Sequence, residues 1–291
     1  MSRPIGIFDS GLGGLTVVRA IRRLLPTEAI VYFGDTARVP YGIKSGQTIA
    51  RFAAEDCEFL CRFDPKFIVV ACNTASAAAI PSLQQRFPQP ITGVIEPGAR
   101  AAAHQSRGRP IGVIGTEATV ASGAYRRAIQ REMPGVWLVE KACPLLVPLV
   151  EEGRPPGDRI VRAVLDEYLT PLREAGVGSI VLGCTHYPLL KDDIAEVVGL
   201  DVALVDSAEA VAAEVARRLE TERLQAAPGR GEMRFFVSDN PDRFRQIGCR
   251  FLGEEIAAVT LVSPEDFFSG PNVARPTVAQ EAAPGRGEDA P

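Results

Sequence analysis

Two short stretches carry the residue types that can do chemistry. Residues 68–76 read IVVACNTAS and residues 182–188 read LGCTHYP. In each, an apolar run ends in a cysteine, Cys72 or Cys184, with polar residues following at once: Asn73 and Thr74 after the first, Thr185 and His186 after the second. Either cysteine alone is an ordinary packing thiol, since free Cys is among the most buried residue types. Two in the same setting call for a common account. A thiol at the carboxyl end of a strand and the start of a helix meets aligned peptide dipoles that favour thiolate, so its pKa is expected to fall below the ordinary ~8.5. Two such groups facing one another across a small ligand can invert a carbon centre. One thiolate takes a proton from carbon, and the other thiol returns a proton to the opposite face, with no redox change.

The elements that position these residues follow from the pattern. Short continuous apolar runs at Ile5–Phe8, Ile30–Gly34, Phe67–Ala71, Ile91–Val94, Ile111–Ile114, Val136–Val139, Ile180–Gly183, Val202–Val205 and Phe235–Val237 alternate with helical spacing such as Leu15–Leu25 and Thr48–Phe63. Strand–helix alternation with fully apolar strands predicts an α/β protein built on parallel sheets. There is also an internal echo. IGIFDSGLGGLTVVRAI (5–21) resembles IGVIGTEATVASGAYRRAI (111–129), and a cysteine strand follows each at a similar distance. The simplest reading is two similar parallel-sheet α/β domains related by pseudo-twofold duplication, with the active site between them. GVIEPGARAAA (93–103) and LVDSAEAVAAEVA (204–216) mark the expected crossings. They place a discontinuous first domain at 1–96 plus 207–270 and a second at 97–206. AAPGRGE, at 226–232 and again at 282–288, suits a flexible connector and a disordered tail over 271–291.

In open α/β sheets ligands bind beyond the carboxyl ends of the strands. Asp9-Ser10 and Gly115-Thr116 end the first strand of each copy and belong at the same edges as the thiols. The copies differ in their acid–base neighbours. Asp9 has no acidic counterpart and His186 no basic one, so Asp9 is placed to accept a proton from Cys72 and His186 from Cys184. The plainer roles are a turn or N-cap aspartate for Asp9 and a helix-capping histidine for His186. GLGG (11–14) lacks both the Lys-Ser/Thr of a phosphate loop and dinucleotide-binding spacing, and reads as a tight strand-to-helix turn. Cys57, Cys61, Cys143, Cys249 and His104 read as packing or surface residues.

Composition bounds the function. The 291 residues are 46% hydrophobic with net charge −4 and no basic stripe, which excludes a duplex-binding face. No apolar run approaches the ~20 residues that span a bilayer, and the N-terminus lacks the pattern of a signal peptide. A cytoplasmic protein with reduced cysteines is expected, with neither nucleic acid nor membrane as partner. The four lysines, Lys44, Lys66, Lys141 and Lys191, sit in no pyridoxal-phosphate motif.

With IGIFDSGLGGLTV, YFGDTARVPYG, ACNTASA, CPLLVPLVEEG and GCTHYPLL in order over residues 5–190, the chain resembles the glutamate racemases of the aspartate/glutamate racemase family. SDNPDRFR (238–245) fits less distinctively. The resemblance implies a cofactor- and metal-independent isomerase of bacterial cell-wall precursor synthesis that acts on glutamate, and a homodimer is expected. Cys72 and Cys184 become the two catalytic acid–bases, acting on D- and L-glutamate respectively, with Asp9 and His186 assisting. Asp9, Ser10, Tyr41, Gly42, Asn73, Thr74, Thr185 and His186 become substrate contacts, and Asp35 and Glu151 match acidic positions near the family's site. Two alternatives stand beside this: the same two-thiol chemistry on aspartate or another small acid, and a non-catalytic relative that binds a partner such as DNA gyrase.

Overall fold

The computed structural model describes residues 3–263 and Phe267, so the predicted tail lies outside the described residues. Among the described residues ten strands are formed: β1 (Ile5–Asp9), β2 (Ile30–Gly34), β3 (Phe67–Val70), β4 (Ile91–Gly93), β5 (Ile111–Gly115), β6 (Leu138–Ala142), β7 (Ser179–Gly183), β8 (Ala203–Asp206), β9 (Met233–Val237) and β10 (Thr260–Leu261). The helices are α1 (Leu15–Leu24), α2 (Gly46–Cys61), α3 (Asn73–Arg86), α4 (Ile95–Gln105), α5 (Glu117–Ala121), α6 (Ala124–Glu132), α7 (Leu146–Glu152), α8 (Arg159–Glu174), α9 (Lys191–Val198), α10 (Ser207–Thr221) and α11 (Pro241–Leu252).

The strands form two sheets, in the orders β10-β9-β2-β1-β3-β4 and β6-β5-β7-β8, and every pairing is parallel. The last four strands of the first sheet run 2-1-3-4 and the four strands of the second run 6-5-7-8, one order repeated. The echo in the sequence is thus an echo in topology: β1 corresponds to β5, and the cysteine strands β3 and β7 correspond to each other. Strands β1, β3, β5 and β7 are buried along their whole length, as runs such as FIVV and SIVLG require when helices cover both faces of a parallel sheet.

Helix α1 shows how sequence makes an element here. Leu15, Val17, Val18 and Ile21 recur at helical spacing and are buried, while Arg22 and Arg23 sit in the last turn, where the helix dipole favours cations. Its apolar stripe joins a continuous cluster that includes Ile5 and Leu15 of the first unit, Leu165 and Leu182 of the second, and Val211 of α10. The two α/β units therefore share packed core at their junction.

Three strands depart from the sequence pattern; β9 starts at Met233, two residues before Phe235–Val237, and takes in exposed Arg234. Strand β6 lies two residues later than Val136–Val139 and takes in the half-buried Glu140 and Lys141. It is an edge strand, half open to water, where the apolar pattern is weakest. The two-residue β10 is exposed and has no counterpart among the expected strands. The AAPGRGE connector is also not loose. The amide of Ala226 donates to Glu28 Oε1 (2.8 Å), and buried Lys66 joins Glu28 (2.5 Å) to the carbonyl of Leu224 (2.6 Å).

Candidate active site

Cys72 follows β3 and caps α3. The amide of Ala75 donates to its Sγ at 3.4 Å, and Ser10 Oγ lies 3.6 Å from the sulfur. Cys184 follows β7, with His186 Nδ1 3.9 Å from its Sγ. Both thiols are nearly closed off, at 5% and 7% exposure. Each lies within electrostatic reach of the other. Their equivalent positions in the two sheets bring them to one junction.

The neighbours differ between the halves. Asp9, at the end of β1, is fully buried; its Oδ2 accepts from the amide of Gly11 (2.9 Å) and closes the turn, while Oδ1 has no hydrogen-bond partner among the described residues. Burial pushes its carboxyl above the ordinary range, against the opposing pull of His186 and three backbone amides. Burial and the nearby Asp9 charge together push the Cys72 thiol up to about 12, outweighing the Ala75 amide and the Ser10 hydroxyl. The expected lowering by the helix terminus is thus reversed at Cys72. One amide dipole does not offset desolvation of a sulfur beside a carboxylate.

His186 stands at the N-cap of the short turn Tyr187–Leu190, but its side chain makes no capping hydrogen bond. Its Nε2 meets Glu151 Oε1 at 3.0 Å, and Glu151 Oε2 accepts from Arg243 at 3.2 Å. Burial lowers the imidazole pKa, but hydrogen bonds and charge from Cys184 and Glu151 prevail and hold it at about 10. As imidazolium it donates to both: Nε2–H to the carboxylate, Nδ1–H to the sulfur. Glu151 in turn is held below its ordinary range, first by the hydrogen bond from His186.

The edges are joined by several contacts between the halves. Thr16 Oγ1 donates to the carbonyl of Thr185 (3.2 Å). Thr74 Oγ1 lies 3.0 Å from Thr116 Oγ1 and 3.1 Å from Thr119 Oγ1. Tyr125 donates to Asn73 Oδ1 (2.6 Å). The GLGG turn packs directly on the second half: a methyl group at Gly13 would meet Thr185 Oγ1 at 2.2 Å and His186 Nδ1 at 2.6 Å. It is a tight turn, as its composition suggests, but the absence of a side chain at Gly13 serves an inter-domain approach rather than a ligand.

Tyr41 and Gly42 lie in a loop held from below. The Tyr41 hydroxyl donates to Asp35 Oδ2 (2.5 Å) and lies 3.2 Å from Asp56 Oδ2, while Arg38 reaches Asp35, Asp56 and Glu55. The Tyr41 phenol is thus engaged by buried carboxylates. Gly42 lies against Thr116, where a Cβ would come within 2.8 Å of the threonine Cβ. Asp35 is therefore a support of this loop. Sequence reasoning missed Arg38, Asp56, Tyr125 and Arg243, although Arg38 and Arg243 stand inside the YFGDTARVPYG and SDNPDRFR stretches, because each acts on a residue distant in the chain.

The family model for Asp/Glu/hydantoin racemases matches residues 5–215. A glutamate racemase of Geobacter metallireducens is 52% identical over 264 residues, covering 90% of this chain and 97% of that protein. Among solved structures, glutamate racemase from Thermus thermophilus in complex with β-chloro-D-alanine has a TM-score of 0.83 at 50% identity, covering 91% of this chain and 98% of that one. Glutamate racemase from Francisella tularensis in complex with D-glutamate has a TM-score of 0.84 at 40% identity, covering 90% and 98%. The chain belongs to the Asp/Glu/hydantoin racemase family and is an amino-acid racemase, an isomerase.

Proposed function

We propose that this protein interconverts L- and D-glutamate without a cofactor, by proton transfer between two thiols on opposite faces of the α-carbon, and that its D-glutamate supplies peptidoglycan precursor synthesis in the cytoplasm. The observation that carries this reading is the pair Cys72 and Cys184, buried at equivalent strand ends of two copies of one unit. Glutamate as substrate is supported by relatives that are glutamate racemases, one of them 52% identical. We take the two domains to divide at 1–96 plus 207–270 and 97–206.

In the reaction one sulfur enters as thiolate and the other as thiol. The Cα–H bond breaks, its proton goes to the thiolate, and its electron pair delocalises into the α-carboxylate. The opposite thiol then delivers its proton to the other face of the carbon. The configuration is inverted, and the two sulfurs have exchanged roles. The reverse direction uses the same groups. Cys72 is held as a thiol by burial and by Asp9, which suits the acid role. To act as base it needs a nearby positive charge, and the substrate ammonium brings one. Asp9, with a raised pKa and one unpartnered oxygen, is the acceptor for that proton. His186, backed by Glu151, serves Cys184 in a different way, as an imidazolium whose Nδ1–H is directed at the sulfur. Ser10, Asn73, Thr74, Thr185 and the backbone of Tyr41-Gly42 supply donors for the two carboxylates. Both proton carriers belong to the chain, so the reaction asks for neither metal nor pyridoxal phosphate.

The test is to incubate protein, dialysed against chelator and a carbonyl reagent, with each glutamate enantiomer in D₂O. Optical rotation is expected to decay to zero from either side, with deuterium entering at Cα. An inert protein, or one revived only by a metal or pyridoxal phosphate, overturns the proposal.

A further inference from the structure

Asn73 presents an unusual balance. It is buried at 2% exposure, directly after Cys72 at the start of α3. Its Oδ1 accepts the Tyr125 hydroxyl at 2.6 Å, while its Nδ2 is buried with no partner among the described residues. A buried donor left in this state is costly unless a ligand takes its hydrogen bond.

Tyr125, on α6 of the second unit, is itself 1% exposed. Two glycines make room for it. A Cβ at Gly183 would lie 3.2 Å from Tyr125 Cε2, and one at Gly98 would lie 3.3 Å from its hydroxyl. Gly183 immediately precedes Cys184. The tyrosine thus spans both catalytic edges: its hydroxyl rests on the residue after one cysteine, and its ring on the residue before the other. Burial raises its phenol pKa, so the hydroxyl keeps its proton and donates it.

We propose that Tyr125 is a positioning residue of this active site, whose hydroxyl turns the Asn73 amide so that Nδ2 donates to a carboxylate of the bound substrate. An amide reversed about its last torsion would give Nδ2 to the phenol and present Oδ1 to the anion, an acceptor facing an acceptor. The tyrosine proton and the substrate charge select the same orientation, so the donor is set before the substrate arrives. The inference rests on the glutamate reading above.

Tyr125→Phe keeps the ring against both glycines and removes only the hydroxyl. It is expected to raise KM for both enantiomers about tenfold or more, with kcat within about threefold, as loss of ground-state positioning at a charged group requires. In an Asn73→Ala background the same change is expected to alter kcat/KM by less than about twofold, because the amide it orients is gone. Asn73→Asp supplies an independent reading should Tyr125→Phe not fold. It keeps an acceptor for Tyr125 but puts a carboxylate oxygen where Nδ2 stood, so KM is expected to exceed that of Asn73→Ala. An unchanged KM in Tyr125→Phe, effects of Tyr125→Phe and Asn73→Ala that multiply, or a near-wild-type KM in Asn73→Asp overturns the inference. Wild-type protein that does not racemise glutamate overturns the glutamate reading and takes this one with it; wild-type turnover with an unaffected Tyr125→Phe overturns this one alone.

Discussion

At Cys72 two effects act in one direction: burial and the Asp9 charge both hold the proton on sulfur. At Cys184 the sulfur faces His186, whose pKa, lowered by burial, is held at about 10 by Cys184 itself and by Glu151. The two thiols are chemically unlike, yet each is expected to be indispensable in both directions, since every turnover needs one base and one acid. Cys72→Ala and Cys184→Ala should each lose racemisation of either enantiomer by about 10²–10⁴-fold or more. Polarimetry in both directions checks this, with folding verified by circular dichroism, and a folded variant near the wild-type rate refutes the two-thiol mechanism. The enantiomers are equal in energy, so kcat/KM has to fall equally in the two directions. The His186–Glu151 pair makes a prediction in stability. The folded pKa of His186, about 10, lies above its ordinary 6.5, so its contribution is complete below pH 6.5 and is lost as pH rises through about 10. Glu151 is shifted down from 4.5, so its contribution is present above 4.5 and is lost as pH falls through its lower folded value. Glu151→Gln should therefore lower Tm by ~2–4 °C near pH 6, on the order of 1 kcal/mol for a chain of this size. The difference should shrink above pH 10 and in acid. A Tm difference that stays constant with pH shows that the pair does not carry this coupling.

Among the elements, the strand–turn–helix units set the geometry. Short apolar runs make β1, β3, β5 and β7 recognisable, because a strand buried on both faces has no polar residues to interrupt it. β6 and β10 are blurred because edges admit water. The turn into α1 does more than connect. Gly13 has room for only a hydrogen atom against Thr185 and His186. Gly13→Ala must push that turn away from the Cys184 edge, and a displacement of about an ångström at reacting groups is worth ~10²-fold in rate. We expect kcat/KM to fall by that order. Gly46→Ala is the control, since nothing lies within 4 Å of a methyl group there and its activity should match wild type. Equal activity in both variants rules out the close approach as a functional constraint.

Over the whole molecule, the candidate site exists only where the two units meet, and its polar groups come from both. A pocket of aligned, buried donors discriminates sharply against a ligand that lacks the matching charge, because the donors are then left unpaired. Glutamine should accordingly be turned over with kcat/KM lower by ~10³-fold or more. Comparable kcat/KM values for glutamine and glutamate contradict a site built for a side-chain carboxylate. Parallel α/β architecture, duplication of the unit, and the thiols with their Asn-Thr and Thr-His neighbours were all readable from local pattern. Strand burial, strand-end position and repeat are properties of contiguous residues, which a linear chain displays directly. What needed the tertiary structure is what depends on distance between remote residues. Tyr125 on Asn73, Gly13 against Thr185, Glu151 behind His186 and Arg38 among three carboxylates each join segments that no spacing rule connects. The protonation of Cys72 belongs here as well. A helix terminus seen in sequence argues for a thiolate, but the sign of the shift is decided by how completely the fold removes water and how near it brings Asp9.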